Sequence, residues 1–370
     1  MIRLLIVLFL SLSYMIFAVE FVVSGYIYDL DIADIDADGD LDVIVGNIIT
    51  DDPDSINFLI NNGSGEFTLL TQQIDGGAYL KTEDLDGDSL VDILSRESSN
   101  YMPKYYKNLG NLQFGEADTI LLEYSHVWQE CKTADFEGDG DIDIAFDRCG
   151  SDGECHILIN DGEGNFDEQF GFLSDDGIGD FYVGDINQDN YVDILITSSN
   201  EPYLYLNNDF EFFPVSIDNM HWSDCWLIDM NQDSYIDIVL SEDIPSLTKI
   251  FFNNGLGEFN NSHIIAMPPY SIIMDISDYN NDGFPDFAVQ MGYNPYVYIC
   301  FNENNSSLSD PVMYYFGTVY SFIVSSADLD GNGFNDLVVT GYHVNRDYYG
   351  ISVLFNDGSG NFLENPQVDA

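Results

Sequence analysis

Basic residues are nearly missing from this 370-residue chain. Nine Lys plus Arg stand against 65 Asp plus Glu, a formal net charge of −56. Phosphate binding needs clusters of Lys and Arg, so nucleic acid is excluded as a partner. Anionic membranes and acidic polysaccharides are repelled too, unless a divalent cation bridges them. Cysteine is scarce: Cys131, Cys149, Cys155, Cys225 and Cys300, with no CxxC and no Cys/His spacing suited to zinc. Cys149 and Cys155 could staple one hairpin loop in an oxidising compartment, whereas the other three are expected as small apolar core residues. Helical periodicity is absent beyond residue 18, and no second apolar run is long enough to span a bilayer.

What is present argues for a folded domain. Hydrophobic residues make up 45% of the chain, with 26 Phe and 24 Tyr, a composition that separates it from a disordered acidic tail. The start, Met1-Ile2-Arg3 followed by the apolar run 4–17 and Ala18, reads as a signal peptide over residues 1–18. The expected mature protein is therefore secreted, periplasmic or at the cell surface, without a transmembrane segment.

One acidic unit recurs seven times: DIDADGDLD from Asp34, DLDGDSLVD from Asp84, DFEGDGDID from Asp135, DINQDNYVD from Asp185, DMNQDSYID from Asp229, DYNNDGFPD from Asp278 and DLDGNGFND from Asp328. The spacings are 50, 51, 50, 44, 49 and 50 residues. Each unit runs into an apolar strand such as DVIVGN or DLVVTG. A second short strand then ends in a turn such as LINNGSGEF or LFNDGSGNF. Asn-Asn-Gly and Asn-Asp-Gly between apolar runs mark hairpins, because Asn and Gly tolerate positive φ. With one strand before each acidic unit and one after each turn, every repeat holds about four strands.

Such units are too long for β-helix rungs and too short for separate sandwich domains. They predict an all-β fold: a seven-bladed β-propeller with four-stranded antiparallel blades and calcium-binding loops. The expected blades span approximately 25–74, 75–125, 126–175, 176–219, 220–268, 269–319 and 320–370, in one domain from 19 to 370. Residues 20–24 and 361–368 should meet at the seam, with 361–368 as the last outer strand.

On these DxDxDGxxD-type clusters, the strand after each, and turns such as Asn356 to Phe362, the sequence resembles the FG-GAP/VCBS repeat family, including the amino-terminal propeller of integrin α subunits. The resemblance covers nearly all of residues 25–370. It implies calcium in the loop between the first and second strands of a blade, and ligands on the opposite face. The literal FG-GAP tetrapeptide is absent, and several loops carry Asn in place of Asp.

The loops also suit calcium on their own chemistry, since this ion takes six to eight oxygen ligands. In the first copy, Asp34, Asp36 and Asp38 stand at positions 1, 3 and 5, the Asp40 carbonyl at 7 and Asp42 at 9. The parallel sets are Asp84, Asp86, Asp88, Leu90, Asp92; Asp135, Glu137, Asp139, Asp141, Asp143; and Asp185, Asn187, Asp189, Tyr191, Asp193. The remaining three are Asp229, Asn231, Asp233, Tyr235, Asp237; Asp278, Asn280, Asp282, Phe284, Asp286; and Asp328, Asp330, Asn332, Phe334, Asp336. An EF-hand is rejected because position 12 is never an acid, being Val45, Ser95, Phe146, Ile196, Leu240, Val289 and Val339. Asn190 and Ser234 replace glycine at position 6 of loops 4 and 5, which makes loop 5 the expected weakest site. Up to seven calcium ions would bring the charge of −56 to −42.

Catalysis finds little support. The chain has no GxSxG, HExxH or P-loop, and its histidines, His126, His156, His221, His263 and His343, fall at different phases of the repeat. The alternative of a polysaccharide-active enzyme, a lyase or hydrolase, meets the shortage of basic residues. A non-catalytic adhesion or recognition module, acting as a monomer, is the expectation. Its ligand face would carry Tyr26, Tyr79, Trp128, His221, Trp222, Tyr270 and Tyr320 at the starts of the first strands. Tyr101, Tyr105, Tyr293, Tyr296, Tyr342 and Tyr348 would join from the second-to-third-strand loops. Aromatic faces beside carboxylates suit an extracellular protein or a neutral glycan.

Overall fold

The computed structural model describes residues 19–49, 54–72, 74, 76–96, 103–120, 128–148, 154–173, 178–198, 201–243, 246–292, 294–304, 307–316, 323–343 and 348–363. These form seven antiparallel sheets. Blade 1 comprises Tyr26–Ala33, Asp42–Ile48, Ser55–Asn61 and Phe67–Gln72; blade 2, Ala78–Glu83, Asp92–Arg96, Pro103–Tyr106 and Asp118–Thr119. Blade 3 comprises Trp128–Ala134, Asp143–Arg148, Glu154–Asn160 and Phe166–Leu173; blade 4, Phe181–Gly184, Asp193–Ile196, Tyr203–Asn208 and Glu211–Ser216. Blade 5 comprises Asp224–Ile228, Asp237–Asp243, Ser246–Phe252 and Asn261–Ala266; blade 6, Ser271–Ser277, Asp286–Met291, Tyr296–Cys300 and Val312–Tyr315. Blade 7 takes Val324–Ala327, Asp336–His343 and Tyr348–Asn356 from one end of the chain and Val19–Val23 from the other.

The apolar runs form strands buried on both faces. In blade 1 the six residues from Asp42 to Asn47 are all buried, so no polar alternation is required of them. The core lies between blades, in seven apolar clusters. Ile44, Ile56 and Phe58 of blade 1 meet Leu80, Ile93 and Tyr106 of blade 2. The last cluster joins Val338, Ile351 and Val353 of blade 7 to Ile27, Val43 and Val45 of blade 1, which closes the ring. A sheet covered in this way on both sides cannot stand alone, and closure is how the repeats bury their faces.

Acidic side chains tie some first strands to their neighbours. Asp29 accepts hydrogen bonds from the backbone N–H of Leu30 and, across the blade boundary, of Leu80, each at 2.8 Å. Burial pushes its carboxyl up to about 7. Asp31 accepts from the N–H and hydroxyl of Thr82 at 2.7 and 2.8 Å and pairs with Lys81 at 3.1 Å. Asp180 accepts from the N–H of Cys225 at 3.2 Å.

The two ends of the chain do meet at one seam, but their roles differ from the expectation. Val19–Val23 supplies the outer strand of blade 7 over five residue pairs, Val19 with Val353 through Val23 with Tyr349. Phe362 and Leu363 extend that edge by two pairs, and the rest of the expected strand, 364–368, lies outside the described residues. The alternating Val19, Phe21 and Val23 give the first segment a strand pattern, and Phe21 and Val23 pack in the cluster between blades 7 and 1. Cys131, Cys155, Cys225 and Cys300 are buried, whereas Cys149 lies outside the described residues. No helix among the described residues is long and apolar enough to cross a membrane.

Candidate functional site

The acidic loops all join the first strand of a blade to the second and therefore share one face. Each loop is a wrap of backbone around its own carboxylates. In loop 1, Asp34 accepts from the N–H of Asp38 at 3.0 Å and of Gly39 at 2.9 Å, and Asp38 accepts from the N–H of Asp40 at 3.1 Å. The same position-1 bonds recur from loop 2, where Asp84 accepts from Asp88 and Ser89, to loop 7, where Asp328 accepts from Asn332 and Gly333. The chain must turn left-handed at position 6. Glycine serves there in four loops, but Ser89, Asn190 and Ser234 hold φ of 70°, 73° and 71°. Glycine is thus replaced in loop 2 as well as in loops 4 and 5, and position 6 does not single out loop 5.

Position 9 is the pivot of each repeat. Asp42 is fully buried; one of its oxygens accepts from the N–H of Ile35 at 3.1 Å and the other from the N–H of Asn61 at 2.7 Å. The same pair of bonds reaches Asp92, Asp143, Asp193, Asp237, Asp286 and Asp336. Burial raises these carboxyls, to about 7 at Asp42, Asp193, Asp237, Asp286 and Asp336 and about 6 at Asp92 and Asp143. The second partner is the first Asn of each hairpin turn. Its side chain clasps two blades: Asn207 donates to the carbonyls of Val192 in its own blade and Phe136 in the preceding one. Asn61 does so across the seam, donating to Leu41 and Leu329. In the sequence these Asn residues read as turn formers; their recurrence next to the strand end, one per repeat, is the feature that marks the clasp.

In loops 1, 2 and 7 the carboxylates of positions 1, 3 and 9 converge. Asp34, Asp36 and Asp42 can each present an oxygen within 4.8 Å of the others, as can Asp84, Asp86 and Asp92, and Asp328, Asp330 and Asp336. These groups could hold a metal ion, and an all-oxygen, partly buried set fits a hard divalent cation. Position 5 lies outside these triads, and no other such carboxylate group occurs among the described residues. In loops 4 and 6, the position-3 amides of Asn187 and Asn280 donate to Asp189 and Asp282 at 2.9 and 3.1 Å, which lessens local charge. In loop 3, burial pushes Glu137 up to about 7, and the hydrogen bond its protonated carboxyl gives to Asp139 adds to it. Loop 2 is set apart by Lys107, whose ammonium contacts Asp86 and lies 3.1 Å from Asp88. The equivalent residues before the clasping Asn are Ile60, Ile159, Leu206, Phe252, Phe301 and Phe355, so one basic side chain at an apolar phase was the signal missed.

The opposite face is less uniform. Tyr26 is 38% exposed and Tyr270 73% exposed. His221 is exposed and lies 2.6 Å from Glu242. Tyr79 is half-buried, its hydroxyl 3.0 Å from that of Tyr28. Trp222 does not belong to a ligand face: it is 1% exposed and packs with Leu195, Leu204 and Leu240 between blades 4 and 5. Tyr105 also departs from the expectation. It sits inside the third strand of blade 2, and its hydroxyl donates to Asp92 at 2.9 Å, at the acidic end. Trp128 begins a strand but its side chain lies outside the described residues, as do Tyr101, Tyr293 and Tyr320 altogether. Tyr296 lies in the third strand of blade 6, packed on Tyr315 with ring centroids 5.3 Å apart. Tyr342 and Tyr348 lie near the seam, where they line a cavity with Tyr26.

Seven closed sheets and this recurring loop define a class, the β-propeller built of acidic-loop repeats. The chain is an FG-GAP repeat propeller: the model of the FG-GAP-like repeat matches residues 84–146, 229–289 and 278–339. No curated protein matches the chain. Among solved structures, BBS1N in complex with ARL6DN is similar at a TM-score of 0.60 and 11% identity, covering 94% of this chain and 98% of that one, a likeness of fold alone. An Agrocybe aegerita lectin that recognises non-reducing terminal N-acetylglucosamine matches at a TM-score of 0.44 and 17% identity, over 91% of this chain and 78% of the lectin.

Proposed function

We propose that the protein is a secreted, calcium-stabilised recognition module without a catalytic role. It binds an extracellular protein or a neutral glycan, as a monomer, through the face opposite the acidic loops. The observation that carries this reading is the division of labour along each blade. At one end, carboxylates and backbone N–H groups are committed to one another, and in loops 1, 2 and 7 three carboxylates converge where a cation could sit. At the other end, Tyr26, Tyr270 and His221 remain exposed on a rigid frame. Calcium is the ion the oxygen donors suit, and the concentration outside cells would fill even weak sites. The large negative charge favours partners that are neutral or basic.

The test combines metal analysis of the purified protein with binding to arrays of glycans and extracellular proteins, in calcium and after its removal. Calcium should co-purify, and Tyr26→Ala with Tyr270→Ala should abolish binding while melting stays near wild type. Absence of bound calcium, binding untouched by the pair, or turnover of a polysaccharide would each defeat the reading.

A further inference from the structure

The seam between blades 7 and 1 differs from the other blade boundaries in what it leaves open. The chain runs from the outer strand of blade 7, Val19–Val23, through Ser24 and Gly25 straight into the inner strand of blade 1. Gly25 makes this passage possible. It holds φ at +87°, and a Cβ there would lie 2.6 Å from the Ile48 carbonyl oxygen. Around the crossing is a cavity of about 830 Å³, a size typical of small-molecule sites.

Five tyrosines line it: Tyr26 and Tyr28 from blade 1, and Tyr342, Tyr348 and Tyr349 from blade 7. Four of them, Tyr28, Tyr26, Tyr349 and Tyr342, form a continuous aromatic wall. Ring centroids lie 6.0 Å apart for Tyr26 and Tyr28, 5.3 Å for Tyr26 and Tyr349, and 4.9 Å for Tyr342 and Tyr349. Of the five, Tyr349 packs against the apolar cluster beneath, which is built of Val, Ile, Leu and Phe. The other four rings are half-buried or exposed at its rim and are not members of that cluster.

We infer that this cleft is a binding site for a neutral pyranose oligosaccharide, an inference that rests on the recognition function proposed above and gives it a location and a ligand class. The chemistry is specific. Tyrosine faces take the C–H side of a sugar ring, and phenol hydroxyls reach its equatorial hydroxyls. The hydroxyl of Tyr348 already donates to Glu20 at 2.7 Å, which places a carboxylate acceptor at the rim for sugar hydroxyls. Among the described residues no Lys or Arg lines the cleft, and a net charge of −56 disfavours an anionic sugar.

The experiment uses the calcium-loaded full chain with cellotriose, maltotriose and mannotriose as probes and trigalacturonate as the anionic control. Saturation transfer from tyrosine ring protons should reach at least one neutral trisaccharide and not the anion. Tyr26→Ala should weaken that binding about tenfold, the loss of one stacked ring, with an unchanged melting temperature. Tyr26→Phe should retain most of it. Should Tyr26→Ala misfold, fluorotyrosine-labelled wild type gives the same answer, because the cleft resonances must shift on titration. No transfer to any of the three sugars, preference for trigalacturonate, or binding that survives loss of the Tyr26 ring overturns the inference. If a sugar or a protein is instead lost with Tyr270→Ala and His221→Ala, the cleft is wrong while the recognition function stands. If neither glycan nor protein binds this face, both fall.

Discussion

At the acidic end of the blades the same side chain meets the same backbone group in every repeat; at the other end the described residues differ from blade to blade. Asp42 and Asp336, at opposite ends of the chain, each take one N–H from position 2 of the loop and one from a turn Asn. Tyr26 and Tyr270, each eight residues before its acidic unit, are exposed, whereas Trp222, seven residues before its own, is buried. Uniformity at one end is the mark of architecture, because every blade must solve the same closure problem. Variation at the other end is what a ligand surface needs, since a partner meets the face as a whole.

The largest test of this contrast is removal of metal. Each site filled at a hundred times its Kd stabilises the fold by about 2.7 kcal/mol. Chelation should therefore lower the melting temperature by far more than Tyr270→Ala, an exposed change expected within about 0.5 kcal/mol. Equal effects in scanning calorimetry would erase the distinction between the two ends.

Next comes the interblade clasp. Asn253→Ala removes side-chain bonds to the carbonyls of Ile186 and Ile236 and the acceptor of the Gly255 N–H, all in a buried setting. The expected loss is about 3 kcal/mol, against a few tenths for Asn254→Ala beside it, which is exposed. Urea unfolding of the two variants decides it; similar losses would mean that the clasp is no more than a turn.

The pH response should separate metal-free from metal-bound protein. The position-9 carboxyls are raised from 3.8 to about 6 at Asp92 and about 7 at Asp42 and Asp336. A raised carboxyl means that the folded state binds the proton more tightly. The stabilisation from this source is complete below the unfolded value and disappears as pH rises through 6 to 7. Metal-free protein should thus melt higher at about pH 5.5 than at about pH 8, and calcium should flatten or reverse the trend by replacing the protons. A metal-free melting temperature that climbs with pH would contradict the assignment.

The smallest effect is expected at loop 2. Lys107 places an ammonium against Asp86 and Asp88, where a divalent ion would have to displace it. Lys107→Met should tighten calcium binding at that loop by about fivefold, a surface ion pair being weak. Terbium luminescence titration would resolve it, and an unchanged profile would show that the side chain swings clear at no cost.

Much of this architecture was legible because it is periodic. The recurrence of Asp34, Asp84 and their counterparts sets the blade count, and the β-branched run after each sets the second strand. Three features were not legible. The outer strand of blade 7 comes from Val19–Val23, because pairing across the seam joins segments more than 300 residues apart that share no local pattern. Trp222 stands seven residues before its acidic unit, one fewer than exposed Tyr270, and is buried against Leu195, Leu204 and Leu240 of blades 4 and 5. Tyr105 lies in a strand near Asp92 because it stands three residues before Asn108, and the third strand of blade 2 keeps the register of the others, with Tyr106 opposite Ile93 as Leu59 is opposite Val43.

The sequence by itself determined the repeat, the left-handed acidic loops and their oxygen donors, because each depends on residues within about ten positions of one another and on backbone preference. Only the tertiary structure decided which carboxylates converge, that Asp42 and its counterparts are buried between two N–H donors, and that turn residues such as Asn61, Asn207 and Asn253 hold the preceding blade. It also decided that tyrosines from residues 26–28 and 342–349 share one cleft. Those outcomes depend on ring closure, which brings the two ends of the chain together under the pressure to bury the faces of every sheet.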